Sequence, residues 1–259
     1  MRNTNATFFD KYGDRFSCSN KEEFIERYWG ITCFGQEDKS KSENDTDECW
    51  AISTYLIIAQ AQGFLGYPFE VVKGESPDFS IKMGDEITGI EVVTLTTNLY
   101  QAATNIAKKS GKEYTIELSD FKNQRSKKFP ATEITRVLKE SGQDLSGSGF
   151  QGDEPYVEAK NLLAETLIAK LLLLNSDTYT IFPKMEIIIR NDSHLMLGSR
   201  LDRVAPYFKS AISAIKSSGL FKKQFNKVHF LSGEKIVYDL ENDVRVFSRD
   251  YEPGVDPKI

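Results

Sequence analysis

The feature that most constrains this chain is the run Pro77–Thr94, PDFSIKMGDEITGIEVVT, where two strand patterns meet at a turn and each carries a carboxylate. Asp78–Lys82 alternates, with Phe79 and Ile81 on one face, and Thr88–Leu95 is dense in β-branched residues. Gly84–Asp85 between them is turn chemistry, so the two runs are expected to form a hairpin. Glu91 falls inside the second run, flanked by Ile90 and Val92. A carboxylate in mid-strand is costly to bury without a partner. Asp78 opens the first strand, so the hairpin brings both carboxylates toward one end of the sheet. Two carboxylates on a rigid hairpin suit a hard divalent cation such as Mg2+, which takes oxygen ligands, keeps several waters, polarises a phosphodiester and generates hydroxide.

The pattern around this run is that of a mixed α/β layer fold. Lys21–Trp29 has helical spacing. Residues Gly35–Asp47 are charged and lack apolar positions, as in a loop or mobile segment. Asp45, Thr46 and Asp47 offer N-cap chemistry for a helix Asp47–Gln62, ended by Gly63 and Gly66. Phe69–Val72 reads as a further strand. Helices are expected at Asn98–Lys109 and Ala131–Glu140, with a Gly/Ser-rich loop to Asp153. Glu154–Leu174 is the strongest helix, with Pro155 in its first turn and a broad apolar face. Met185–Arg190 reads as a buried strand, Leu201–Ser217 as an amphipathic helix, and Val228–Leu231, Lys235–Tyr238 and Val244–Phe247 as closing strands. This divides the chain into an N-terminal extension with a mobile polar loop, residues 1–46, and one domain over residues 47–259.

Composition excludes several function classes. The 259 residues are 40% hydrophobic and 27% charged, enough for a packed core. The net charge of −5 means that any nucleic-acid contact must come from a local basic patch. No secretory pattern or membrane-length apolar run is present, so the expected location is cytoplasmic, with no membrane partner. Cys18, Cys33 and Cys49 are odd in number and lack CxxC spacing, which argues for free thiols, with Cys49 packed on its helix. His194 and His229 have no metal-ligand spacing, and His229 reads as structural. GxSxG and Walker A motifs are absent.

Pro77-Asp78-Phe79 followed by Gly89-Ile90-Glu91-Val92 resembles the PD-(D/E)xK nuclease superfamily. The resemblance covers roughly residues 47–109 in the order helix, hairpin, helix. The helix Val157–Leu174 and the MEIIIR strand are similar to the later part of many bacterial members. It implies a restriction-endonuclease-like fold, a mixed central sheet flanked by helices. It also implies a Mg2+-dependent nuclease that hydrolyses nucleic-acid phosphodiesters, DNA rather than RNA by family prevalence, in a setting such as bacterial or phage defence. On that match Asp78 and Glu91 carry over as metal ligands. Glu48, at the start of the preceding helix, carries over more weakly, since an acid in a first helical turn is also favoured by the helix dipole.

The departure is Val93, which stands where the family places its catalytic lysine. Either a lysine reaches the site from elsewhere, or the fold persists without catalysis and serves to bind a protein or nucleic-acid partner. Lys82 and Lys170 are the candidates. Lys82 is preferred because it shares a strand face with Asp78, although four residues is far along a strand. Lys170 lies near the apolar face of the long helix. Lys108, Lys109, Lys122, Arg125, Lys127 and Lys128 form a locally basic stretch that reads equally as a phosphate-contacting patch or a solvated loop. Because two carboxylates held close repel, Glu91→Gln is expected to leave folding intact or improve it.

Overall fold

The computed structural model describes residues 8–32, 43–96, 106, 154–191, 201–232, 235–238 and 245–248. Eight strands form one mixed open sheet in sequential order: β1 (Arg15–Cys18), β2 (Phe69–Lys73), β3 (Phe79–Met83), β4 (Glu86–Leu95), β5 (Lys184–Asn191), β6 (Lys227–Ser232), β7 (Lys235–Tyr238) and β8 (Arg245–Ser248). The first four strands run antiparallel to one another, β4, β5 and β6 are parallel, and β7 and β8 return antiparallel. The parallel steps need crossovers, and the chain supplies helices for them. The described helices are α1 (Phe8–Tyr12), α2 (Lys21–Thr32), α3 (Glu43–Ala61), α4 (Glu154–Leu174) and α5 (Leu201–Ser217).

The β3–β4 hairpin turns on Gly84–Asp85, with Met83 opposite Glu86. Gly84 takes φ +60, a left-handed conformation that glycine adopts without steric cost. From there β4 runs ten residues and becomes the sheet's central rail, pairing with β3 on one side and β5 on the other.

Side-chain alternation along β4 divides the core in two. Ile90 and Val92 face the layer that holds α1, α2 and α3, where they join Leu56, Ile52, Phe79 and Ile81. Val93 and Leu95 face α4 and α5, beside Leu163, Leu167, Leu171 and Phe208. The sheet is therefore covered on both faces, and β5, with Met185–Ile189 all buried, is apolar there except for Glu186. The N-terminus of α3 is tied to the end of β5: Asp47 Oδ1 lies 2.7 Å from Arg190, whose guanidinium stacks over Trp50 at 5.2 Å.

Most expected elements lie within a few residues of their sequence positions. The helix expected from Asp47 starts at Glu43, so Asp47 lies inside it and pairs with Arg190 rather than capping. Residues 8–32, read from sequence as an extension ahead of the domain, are part of its sheet and core. β1 pairs with β2, and Phe8, Phe9, Phe16 and Phe24 stack among themselves and against Phe69 and Phe79. The helices expected at 98–109 and 131–140 fall outside the described residues, apart from Ile106. Among the described residues, Cys18 and Cys49 are buried and form no disulfide, and no helix is long and apolar enough to cross a membrane.

Of the described glycines within strands, Gly89 is closely packed. A Cβ there would meet Met185 Sδ at 2.6 Å and both Phe182 and the Pro77 ring at 2.9 Å. Gly89→Ala is therefore expected to lower unfolding free energy by about 1–3 kcal/mol, the usual cost of overpacking. A urea melt checks this, and an unchanged midpoint would show the packing beside the hairpin to be loose.

Candidate active site

The Phe79–Ile90 pairing of the hairpin, continued by one residue, sets Asp78 beside Glu91. Asp78 Oδ2 accepts the backbone N–H of Val92 at 2.7 Å, which fixes the carboxyl at the mouth of β3. Glu91 points to the α4 side of the sheet and is 3% exposed, so its charge needs close partners. It has two. Lys170 Nζ of α4 donates to Oε2 at 2.5 Å, and the Tyr179 hydroxyl, from the loop that joins α4 to β5, donates to Oε1.

The electrostatics follow from this crowding. Burial, then the neighbouring Glu91 charge, pushes the Asp78 carboxyl up to about 7; the Val92 hydrogen bond and Lys170 pull against that rise. For Lys170, burial alone would lower the pKa. The charge and hydrogen bond of Glu91, with Asp78 and Glu48 behind it, outweigh burial and hold the ammonium above the ordinary lysine range. Burial and Glu91 both raise the Tyr179 hydroxyl, so it stays a protonated donor at neutral pH.

Four of the residues singled out from sequence are thus in electrical contact. Asp78, Glu91 and Lys170 form the centre, and Glu48, from the first turns of α3, acts on both Asp78 and Lys170. The preference for Lys82 does not survive the geometry. It shares the strand parity of Asp78, but it is exposed and sits across from Glu70 and Ile87, about 13 Å further along β3. Lys170 avoids that distance because α4 crosses over β4. Lys108, Lys109, Lys122, Arg125, Lys127, Lys128 and His194 lie outside the described residues. Tyr179 was missed: it sits in the polar segment NSDTYT, and no sequence pattern marks it.

The donor set fits a hard divalent cation. It offers oxygen ligands from adjacent carboxylates whose mutual repulsion a cation would relieve. Among the described residues no cluster of three or more His, Cys, Asp or Glu suited to a metal is present. Two carboxylates are a ligand number that Mg2+, which keeps several waters, would accept.

A second buried carboxylate lies on the opposite face of the sheet. Glu186 of β5 accepts from His229 Nε2 at 2.7 Å and from the Tyr55 hydroxyl at 3.4 Å, with Lys227 Nζ at 3.7 Å. Burial would raise its pKa, and His229 first among these partners brings it below the ordinary value. His229 is a buried core residue, as expected. Glu186 was not foreseen, because the apolar MEIIIR pattern hides it.

The raised Asp78 carboxyl makes metal-free stability depend on pH. Its folded value of about 7 exceeds the unfolded 3.8, so the folded state favours the protonated acid. That contribution is complete below about 3.8 and is lost as pH rises to about 7. Asp78→Asn mimics the protonated acid. In chelator it is expected to match the wild type near pH 4 and to exceed it by up to about 4 kcal/mol at pH 8. Urea melts at both pH values check this; a difference independent of pH would contradict the coupling.

A scan of protein-family models, a search of curated proteins and a search of solved structures found nothing that matches this chain.

Proposed function

We propose that this protein is a divalent-metal-dependent nuclease that hydrolyses nucleic-acid phosphodiesters, with DNA as the favoured substrate and a restriction-endonuclease-like core. The observation that carries the reading is Lys170 Nζ at 2.5 Å from Glu91, with Asp78 beside it. A lysine has reached the acidic pair from α4, in place of the one absent at Val93. Helix α3 ahead of the β3–β4 hairpin, within a mixed sheet, supports the fold, since a helix before the hairpin is part of the order the resemblance implies.

Asp78 and Glu91 would hold Mg2+, with Glu48 adding negative charge behind them. When bound, the cation supplies Lewis-acid stabilisation of phosphodiester charge and eases deprotonation of a water. Lys170 is fixed by Glu91, stays cationic, and can orient an attacking water or offset charge at the phosphate. Gly89, Phe182 and Pro77 pack beside the carboxylates and keep bulk water from that flank.

One observation favours the second reading, a non-catalytic protein of the same fold that binds a protein or nucleic-acid partner. Both oxygens of Glu91 already have protein donors, so the ion pair is complete without metal.

Glu91→Gln separates the two, and here the pairing changes the stability expectation. With Lys170 bound to Glu91, glutamine removes the ammonium's hydrogen-bonded counter-charge and leaves it only the less direct charges of Asp78 and Glu48. The variant is therefore expected to lose about 1–3 kcal/mol in chelator rather than gain. On the nuclease reading, Mg2+ raises the wild-type melting temperature and not that of Glu91→Gln, and cleavage of a mixed DNA and RNA pool falls at least about a hundredfold in the variant. No Mg2+ response and no cleavage by the wild type would leave the binding reading standing.

Lys170→Met is the complementary change. It is expected to abolish cleavage while keeping the Mg2+-induced rise in melting temperature, since the carboxylates remain. Retained cleavage would remove Lys170 from the chemistry.

A further inference from the structure

We infer that Tyr179 is a latch on this site: its hydroxyl occupies the Glu91 oxygen that a divalent cation would use, and the cation binds only as that hydrogen bond is released. The inference rests on the metal-dependent reading above and concerns how that site is controlled.

The two oxygens of Glu91 have different partners. Oε2 of Glu91 is held by Lys170 at 2.5 Å, the contact that keeps the lysine in place. Oε1 is held by the Tyr179 hydroxyl. Each carboxylate oxygen has two lone pairs, but Oε2 faces the Lys170 ammonium, whose charge repels a second cation, whereas Oε1 faces a neutral donor, so a cation that leaves Lys170 seated approaches Oε1 at less cost. There it meets the positive end of the Tyr179 O–H dipole, so the two compete.

The surroundings give the latch a mount. Tyr179 packs its ring against the α4–α5 core, so the residue is held without its hydroxyl bond. Its loop is pinned at the start by Asn175, whose side chain bonds the Leu171 carbonyl at 2.8 Å and both backbone groups of Lys223 at 2.9 Å. Movement is thereby confined to the short stretch after Asn175. Ser76, two residues before Asp78, also acts on the Tyr179 hydroxyl oxygen.

Tyr179→Phe removes one oxygen and keeps the packed ring. Calorimetric titration of the full chain with Mn2+ is expected to show about tenfold tighter binding in Tyr179→Phe than in the wild type, the scale of one hydrogen bond to a charged group. Equal or weaker binding in the variant, with the wild type still binding, overturns the latch and leaves the metal reading intact. Binding by neither protein overturns both. A measurement on the wild type covers poor folding of the variant. Saturating Mg2+ is expected to shift tyrosine ultraviolet absorbance to the blue as a phenol leaves a carboxylate; no tyrosine signal at saturation counts against the latch.

Discussion

The structure turns on one buried charge. Glu91 sits in the middle of the central strand, on the face that packs against α4, and is almost closed to solvent. A carboxylate there is tolerable only if something brings it a counter-charge, and α4 does so with Lys170. That requirement fixes how α4 lies across β4, since its apolar face must pack on the sheet while one lysine reaches through to the strand. An apolar residue of similar shape would serve packing at least as well. Retaining an ion pair with a second acid beside it is what a site needs and a core does not.

Asp78 shows the same tension from the other side. It is anchored by the Val92 N–H, a bond that favours the carboxylate, yet burial and Glu91 together push its proton affinity up. The metal-free site is therefore frustrated: two acids share one ammonium. A divalent cation would resolve that imbalance, and a proton would resolve part of it. The Glu186 cluster on the opposite face has no such excess. There one carboxylate meets His229, Tyr55 and Lys227, and its pKa falls rather than rises. The contrast distinguishes a site that is short of positive charge from one that is satisfied.

How much of this was legible in sequence follows from how local each signal is. β2, β3, β4, α4, β5 and α5 were readable because alternation, β-branching and the helical period are written within each element. α1 and β1 were not. They are four or five residues long, and what holds them is a set of aromatic contacts to Phe69 and Phe79, distant in sequence. Asp78 and Glu91 were legible because the hairpin between them is short. The lysine was legible only as a pair of candidates: strand parity pointed to Lys82, and the crossing of α4 over β4, a tertiary fact, selects Lys170. Tyr179 had no local signature, because a tyrosine in a polar loop looks the same whether it reaches a buried carboxylate or solvent.

The central claim is that Asp78 and Glu91 form a cation site served by Lys170. A crystal structure with Mn2+, recorded for anomalous scattering, tests it most directly. The account predicts a peak within about 2.0–2.6 Å of oxygens from both carboxylates, with Lys170 Nζ still at Glu91. Crystals that hold Mn2+ elsewhere or not at all, with Glu91 closed on Lys170 and Tyr179 as in the metal-free chain, would contradict it.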